Sequence, residues 1–285
     1  FGPLMDGGFA IVTQVLPVIV FMGSLFAVLF HLGVIQRVVA AIAWGMTRTL
    51  RTSGAESLAA AANIFVGMVE APLLVRPYIE RMTRSELFAV MTTGMATVAG
   101  SVMVAYAGML GADYAGHLLT ASFLAAPGGL LLAKVMIPET ETPLTAGSRG
   151  ADIEDAAVNV FDAAANGAIA GLRLAGYVGA MLIAFVALVA LANDALAALG
   201  ALVGIENLSF QGILGLVFAP LAWLMGVPAA DATRVGSLLG VKTVLNEFIA
   251  YQQLAVLVKD GEISRRAAVL ASYALCGFAN FGSLA

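Results

Sequence analysis

Apolar residues run almost without interruption over residues 9–32, 87–110, 117–137 and 165–193, and short polar or charged clusters separate the runs. A helix rises 1.5 Å per residue, so the first run is long enough to cross about 30 Å of hydrocarbon and is predicted to span a membrane. Residues 33–51 read differently: Arg37, Arg48 and Arg51 are spaced to leave one apolar face, which predicts an amphipathic helix at the interface. Thr83 and Glu86 form a capping-box pattern that starts the 87–110 helix, and Gly94, Thr97, Gly100 and Ser101 predict close packing or local unwinding within it. The 117–137 span is expected to bend at Pro127-Gly128-Gly129. Residues 138–149 read as a loop, residues 152–162 as an acidic amphipathic surface helix, and residues 165–193 as the longest span, with Arg173 snorkelling or pairing with a loop acid. Residues 208–225, which contain Pro220, are short for a span.

Two stretches place a carboxylate inside apolar sequence: Asn63 to Pro72, which holds Glu70, and Leu238 to Tyr251, which holds Glu247. A charge at membrane depth costs about 2.5–3.5 kcal/mol on insertion scales and usually faces a cavity, substrate or ion. Gly67 and Pro72 bracket Glu70, which predicts two half-helices meeting at a tip with Glu70 in the bend. A proline-kinked helix whose Glu caps a neighbour is the plainer reading of that stretch. The order of features then repeats. Each embedded Glu is followed by a charged turn with two Arg (Arg81 and Arg84; Arg265 and Arg266), then by an apolar helix that ends in a polar break at residues 97–101 or 279–283. Interrupted hydrophobic segments at matching positions of two halves point to a transporter site built from broken helices. The spans 87–110, 117–137 and 165–193 separate the two stretches, and this odd number inverts the second repeat. Arg37, Arg48, Arg51, Arg76, Arg81 and Arg84 put the base of the first hairpin in the cytoplasm by the positive-inside rule.

Composition sharpens this picture. The chain has 285 residues, 61% hydrophobic and only 11% charged, which makes it an integral membrane protein. A single Cys, Cys276, excludes a disulfide framework, and two distant His residues, His31 and His117, argue against a histidine metal site or a catalytic triad. A net charge of −4 without a basic tract excludes a nucleic-acid polymer as partner. The chain opens on Phe1-Gly2-Pro3 rather than Met and closes inside an apolar segment, and it is read as a fragment.

Gly240-Val241-Lys242-Thr243-Val244-Leu245-Asn246-Glu247-Phe248-Ile249-Ala250-Tyr251, Gly277-Phe278-Ala279-Asn280-Phe281-Gly282-Ser283, and Ala61-Ala62-Asn63-Ile64-Phe65 through Glu70-Ala71-Pro72-Leu73-Leu74 resemble the concentrative nucleoside transporter family, over essentially the whole chain. The resemblance implies an all-α, inverted-repeat membrane transporter with two re-entrant hairpins and two discontinuous helices. It further implies an ion-coupled elevator mechanism, a homotrimer, and a multi-pass place in the plasma membrane, here a bacterial inner membrane, with the family's first and last helices missing from this chain. It divides the chain into residues 1–52 (scaffold and interfacial helices), 53–110 (first hairpin and broken helix of the transport domain), 111–205 (scaffold helices and connecting amphipathic segment) and 206–285 (second hairpin and broken helix). By the same resemblance Gly67, Met68, Val69 and Glu70 meet the nucleobase, with Val102 packing on it, while Glu247, Asn280 and Ser283, with Phe278 beside them, bind the ribose. Asn63, Thr97 and the carbonyls of Val66 and Val98 match the family's sodium site, and oxygen ligands suit a hard cation. Where the family commonly has Gly-Gln-Thr-Glu-Ala-Pro, this chain has Met68 and Val69 in place of the amide and the hydroxyl, so an altered base preference is expected, toward purines or broader use. The expected function is cation-coupled, sodium-driven nucleoside uptake without enzymatic activity. An ion-coupled carrier of another small polar solute is the nearest alternative, and a membrane enzyme or receptor a more distant one.

Overall fold

Among the described residues the long apolar runs fold as helix, and the polar interruptions fall at helix ends or breaks. The computed structural model describes residues 16–68, 70–146, 157–204 and 208–281, and these contain no strand. The helices are α1 (Leu16–His31), α2 (Val34–Leu50), α3 (Gly54–Ala62), α4 (Glu70–Leu74), α5 (Arg76–Ile79), α6 (Arg84–Ala96), α7 (Gly100–Leu110), α8 (Ala115–Met136), α9 (Val160–Val203), α10 (Phe210–Leu224), α11 (Ala229–Val244), α12 (Glu247–Lys259) and α13 (Arg265–Leu275). By length and composition α6–α7 together (Arg84–Leu110), residues Ala112–Met136 and residues Val160–Leu202 can each cross a membrane. The pairs α1–α2 and α10–α11 pass the same test only jointly, bent by 75° and 118°. The chain divides into two compact units, residues 1–105 with 119–175, and residues 106–118 with 176–285.

The first unit is built around α3, whose nine residues are all buried. Ala59 to Ala62 pack with Ile35, Val39, Ala43 and Met46 of α2, Ala89 and Val90 of α6, and Ala126, Leu130 and Ala133 of α8. Small side chains let helix backbones approach closely where lipid supplies no hydrophobic drive. The same device joins α1 to α9: a Cβ on Gly167 would lie 2.6 Å from the Gly23 carbonyl oxygen, one on Gly171 2.8 Å from Val20 Cα, and the Ser24 hydroxyl donates to the Ala164 carbonyl at 2.9 Å.

A polar cluster ties the starts of α3 and α6 to the end of α8. The Thr83–Glu86 capping box expected from the sequence is present, and Ser53 with Glu56 forms a second one at α3. Lys134 Nζ sits 2.7 Å from Glu56 Oε2 as an ion pair, without the alignment of a hydrogen bond, donates to Ser85 Oγ at 2.9 Å, and lies 3.4 Å from Glu139. Thr83 Oγ1 donates to Glu139 at 2.7 Å. Burial opposes ionisation of Glu139, but the Thr83 hydroxyl, the Glu141 N–H and Lys134 outweigh it and hold this loop carboxyl below its ordinary range. A depressed carboxylate contributes stability that is present at neutral pH and lost as pH falls through its folded value. Glu56 is only 1% exposed, so Lys134→Met leaves a buried charge without its cation and should cost about 3 kcal/mol. Thermal unfolding checks this, and an unchanged melting temperature would show that the pair adds nothing.

In the second unit α10 and α11 meet backbone to backbone. A Cβ on Gly236 would lie 2.6 Å from the Gly215 carbonyl oxygen, and one on Gly240 2.5 Å from Leu214 Cβ. Ser264 caps α13 by accepting from Ala267 N–H, and Asp231 accepts from the Ser264 hydroxyl at 2.6 Å.

Several expectations are corrected. Glu70 does not sit in the bend: residues 63–68 form the tip and Glu70 is the first residue of α4. Pro72 is the third residue of that helix, where a missing N–H costs nothing because first-turn donors have no intrahelical partner. The bend expected at Pro127-Gly128-Gly129 falls within one continuous helix, α8, which carries Pro127 in its interior. The acidic helix expected over 152–162 falls partly outside the described residues; residues 157–159 are not helical, and Asp162 instead lies in the first turn of α9. That helix has 44 residues, starting before and ending well after the expected 165–193. Of the first expected span, residues 9–15 lie outside the described residues.

Candidate functional site

Both embedded carboxylates open a helix: Glu70 begins α4 and Glu247 begins α12. Each therefore follows an irregular turn, residues 63–68 in one unit and Leu245-Asn246 in the other. The two differ in depth. Glu70 is exposed, whereas Glu247 is 5% exposed.

In the first unit the tip rests on the break between α6 and α7. The Gly100 N–H donates to the Phe65 carbonyl at 3.0 Å, and the Ser122 hydroxyl to the Ile64 carbonyl at 3.4 Å. Met68, half-buried, faces α6, its Cβ 3.4 Å from where a Cβ on Gly94 would stand. A Cβ on Gly67 would overlap Glu70 Oε2, so the Glu70 carboxylate folds back over the glycine. Val66 is half-buried in the tip, Thr97 and Val98 are buried in the break, and Val102 is buried at the start of α7. Val69 lies outside the described residues.

Asn63, which follows α3, is fully buried, yet among the described residues neither its amide oxygen nor its amide nitrogen has a hydrogen-bond partner. Buried polar atoms are almost always paired, so this one requires an explanation. Thr97 Oγ1 gives its proton to the Thr93 carbonyl at 2.9 Å, which leaves the hydroxyl's remaining lone pairs as acceptors only. An amide oxygen and a proton-committed hydroxyl are suitable donors for a small hard cation.

In the second unit Glu247 is held at both oxygens. The Tyr106 hydroxyl donates to Oε1 at 2.9 Å and the Asn280 amide to Oε2 at 3.4 Å. Asn246 caps α12 by accepting from Ile249 N–H at 2.9 Å, fixing the turn that presents Glu247. Lys242 Nζ donates to the Ala274 carbonyl at 3.0 Å and to that of Cys276 at 3.5 Å, satisfying the end of α13 just before the polar break. Phe278 is half-buried in that break and its carbonyl accepts from Asn280 N–H, while Ser283 lies outside the described residues. The structure thus brings Glu247 and Asn280 together, as the sequence led us to expect. Sequence reasoning missed Tyr106, although a tyrosine inside an apolar helix signals a hydroxyl in need of a partner.

A carboxylate with about four acceptor positions, two of them occupied, and a neighbouring amide can receive a pair of sugar hydroxyls. The family profile described as "Na+ dependent nucleoside transporter C-terminus" matches residues 117–285, and the profile "Nucleoside recognition" matches residues 12–113. The uncharacterized transporter YutK of Bacillus subtilis is 50% identical over 288 residues, covering 100% of this chain and 70% of that protein. The nucleoside permease NupC of Helicobacter pylori is 44% identical over 283 residues, covering 98% of this chain and 66% of its own length. Among solved structures, CNTnw in an inward-facing substrate-bound state matches with a TM-score of 0.90 at 48% identity, covering 100% of this chain and 67% of that one. Its relatives are transporters and not enzymes. This chain belongs to the concentrative, Na+-dependent nucleoside transporter family.

Proposed function

We propose that the protein imports nucleosides by cation-coupled symport, with sodium as the coupling ion and an elevator-type alternating access. The observation that carries the reading is the buried Glu247 carboxylate held between Tyr106 and Asn280. Glu247 and Asn280, with Ser283 and Phe278, take the ribose; charge-assisted hydrogen bonds to its hydroxyls are about twice as strong as neutral ones. The first tip, Gly67 to Glu70, with Val102, takes the base. Asn63 and Thr97, with the carbonyls of Val66 and Val98, hold sodium, a role supported by the unpartnered buried amide of Asn63. A bound sodium ion supplies the positive charge that makes loading depend on the cation gradient. Members of the family adopt inward- and outward-facing states, as CNTnw and its variants do, which supports alternating access here. The working assembly is a homotrimer in the plasma membrane, a bacterial inner membrane, with the base of the first hairpin in the cytoplasm.

Ligand-induced thermal stabilisation tests this reading, since a ligand that binds only the folded state raises stability with its concentration. Nucleosides should stabilise the protein, more so with sodium present, and free bases should not. Stabilisation by free bases alone, or by unrelated polar solutes, would overturn it.

Restoring Met68→Gln together with Val69→Thr is expected to change base selectivity and leave ribose dependence nearly intact. Each new neutral hydrogen bond contributes roughly 0.5–1.5 kcal/mol, a several-fold change in relative affinity. Competition of uridine, cytidine, adenosine and inosine against one labelled nucleoside reads the order. An unchanged order with a lowered melting temperature would instead place Met68 in packing against α6 alone.

A further inference from the structure

We infer that Tyr106 is a positioning residue that fixes the Glu247 carboxylate for substrate. The inference rests on the ribose reading above and adds a residue to it. Tyr106 is 1% exposed, and its ring is held on two sides: it stacks on Tyr251 with centroids 4.2 Å apart and planes 22° apart, and meets Phe248 edge-on at 5.8 Å. Tyr251 is itself tied down, its hydroxyl donating to the Ser272 carbonyl at 2.7 Å. A tyrosine has two side-chain torsions, and with its ring clamped the hydroxyl has one place to be. That place is 2.9 Å from Glu247 Oε1.

The opposite oxygen has a longer partner, Asn280 at 3.4 Å, on the irregular segment after α13. Of the two contacts, the tyrosine is therefore the shorter and the better anchored. A free glutamate side chain has three torsions and would lose them on binding substrate. The Tyr106 bond removes that freedom beforehand and leaves lone pairs on both oxygens for two neighbouring hydroxyls. Preorganisation of this kind acts on affinity and not on the rate of the loaded carrier.

The test is Tyr106→Phe in the full-length transporter, which keeps the ring, its stack and its volume and removes only the donor. We expect a KM for uridine raised roughly five- to tenfold, as for loss of one donor to a charged group transmitted in part, with the maximal rate near wild type. The preference for uridine over 2′,3′-dideoxyuridine should shrink, because the latter does not use the positioned oxygens. A purely structural tyrosine would give the reverse, a lowered melting temperature or maximal rate with KM and discrimination unchanged. That result, or a variant that fails to fold, overturns the inference. Glu247→Gln in parallel separates the two levels. If it transports normally, the ribose reading itself fails; if it is inactive while Tyr106→Phe matches wild type, only the positioning role fails.

Discussion

Glu247→Gln is expected to abolish nucleoside uptake while the protein still inserts into the membrane and assembles. The substitution conserves volume and removes the charge. In place of a group that only accepts, it puts an amide with one oxygen and one NH2. Whichever way that amide turns, its NH2 faces either the Tyr106 hydroxyl or the Asn280 amide, both of which donate to the carboxylate in the native arrangement. Hydrogen bonds to charged groups contribute about 1.5–3 kcal/mol each, so losing two to the sugar weakens binding by at least about a hundredfold. Uptake of labelled uridine, with surface expression measured alongside, provides the check. Wild-type uptake would remove Glu247 from the site.

The second large effect is expected at Asn63, and its sign is unusual for a buried polar residue. Truncating a satisfied buried amide normally destabilises, because partners are left unpaired. Among the described residues neither amide atom has a partner here, so Asn63→Leu should leave the melting temperature without sodium unchanged or raised. The same substitution should remove the stabilisation that sodium gives the wild type and shift the sodium concentration for half-maximal uptake upward by about tenfold or more. Loss of stability in sodium-free buffer would mean that the amide serves the fold. Uptake that follows a proton gradient and ignores sodium would mean that the coupling ion has been misassigned.

What could be read from the sequence was what depends on neighbours along the chain. The Thr83–Glu86 box, the charged turns and the break expected at residues 97–101 follow from short spacing rules; the structure has the box in place and confines the break to residues 97–99. The Ser53–Glu56 box obeys the same spacing and was equally legible. Glu70 was misplaced by a local rule applied too simply. Proline breaks helices in their interiors, yet in the first turn it removes nothing, and α4 accommodates it there. Tyr106 was out of reach for a different reason. Its carboxylate partner lies 141 positions away, and no local pattern pairs two residues at that distance. The Lys134–Glu56 pair, 78 positions apart, was hidden in the same way.

The contact between α10 and α11 has a mechanical consequence. Helices that slide past one another in shear motions do so across a layer of side chains that can change rotamer. Between Gly215, Gly236 and Gly240 and their facing atoms that layer is thin: main chain, the short side chains of Thr233 and Ser237, and one Leu214 side chain held at the shortest approach. The two helices therefore transmit a displacement as one rigid strut. The first compliant point along it is Leu245, whose backbone at φ −104° and ψ −91° has already left the helix, one step before the carboxylate that the strut carries.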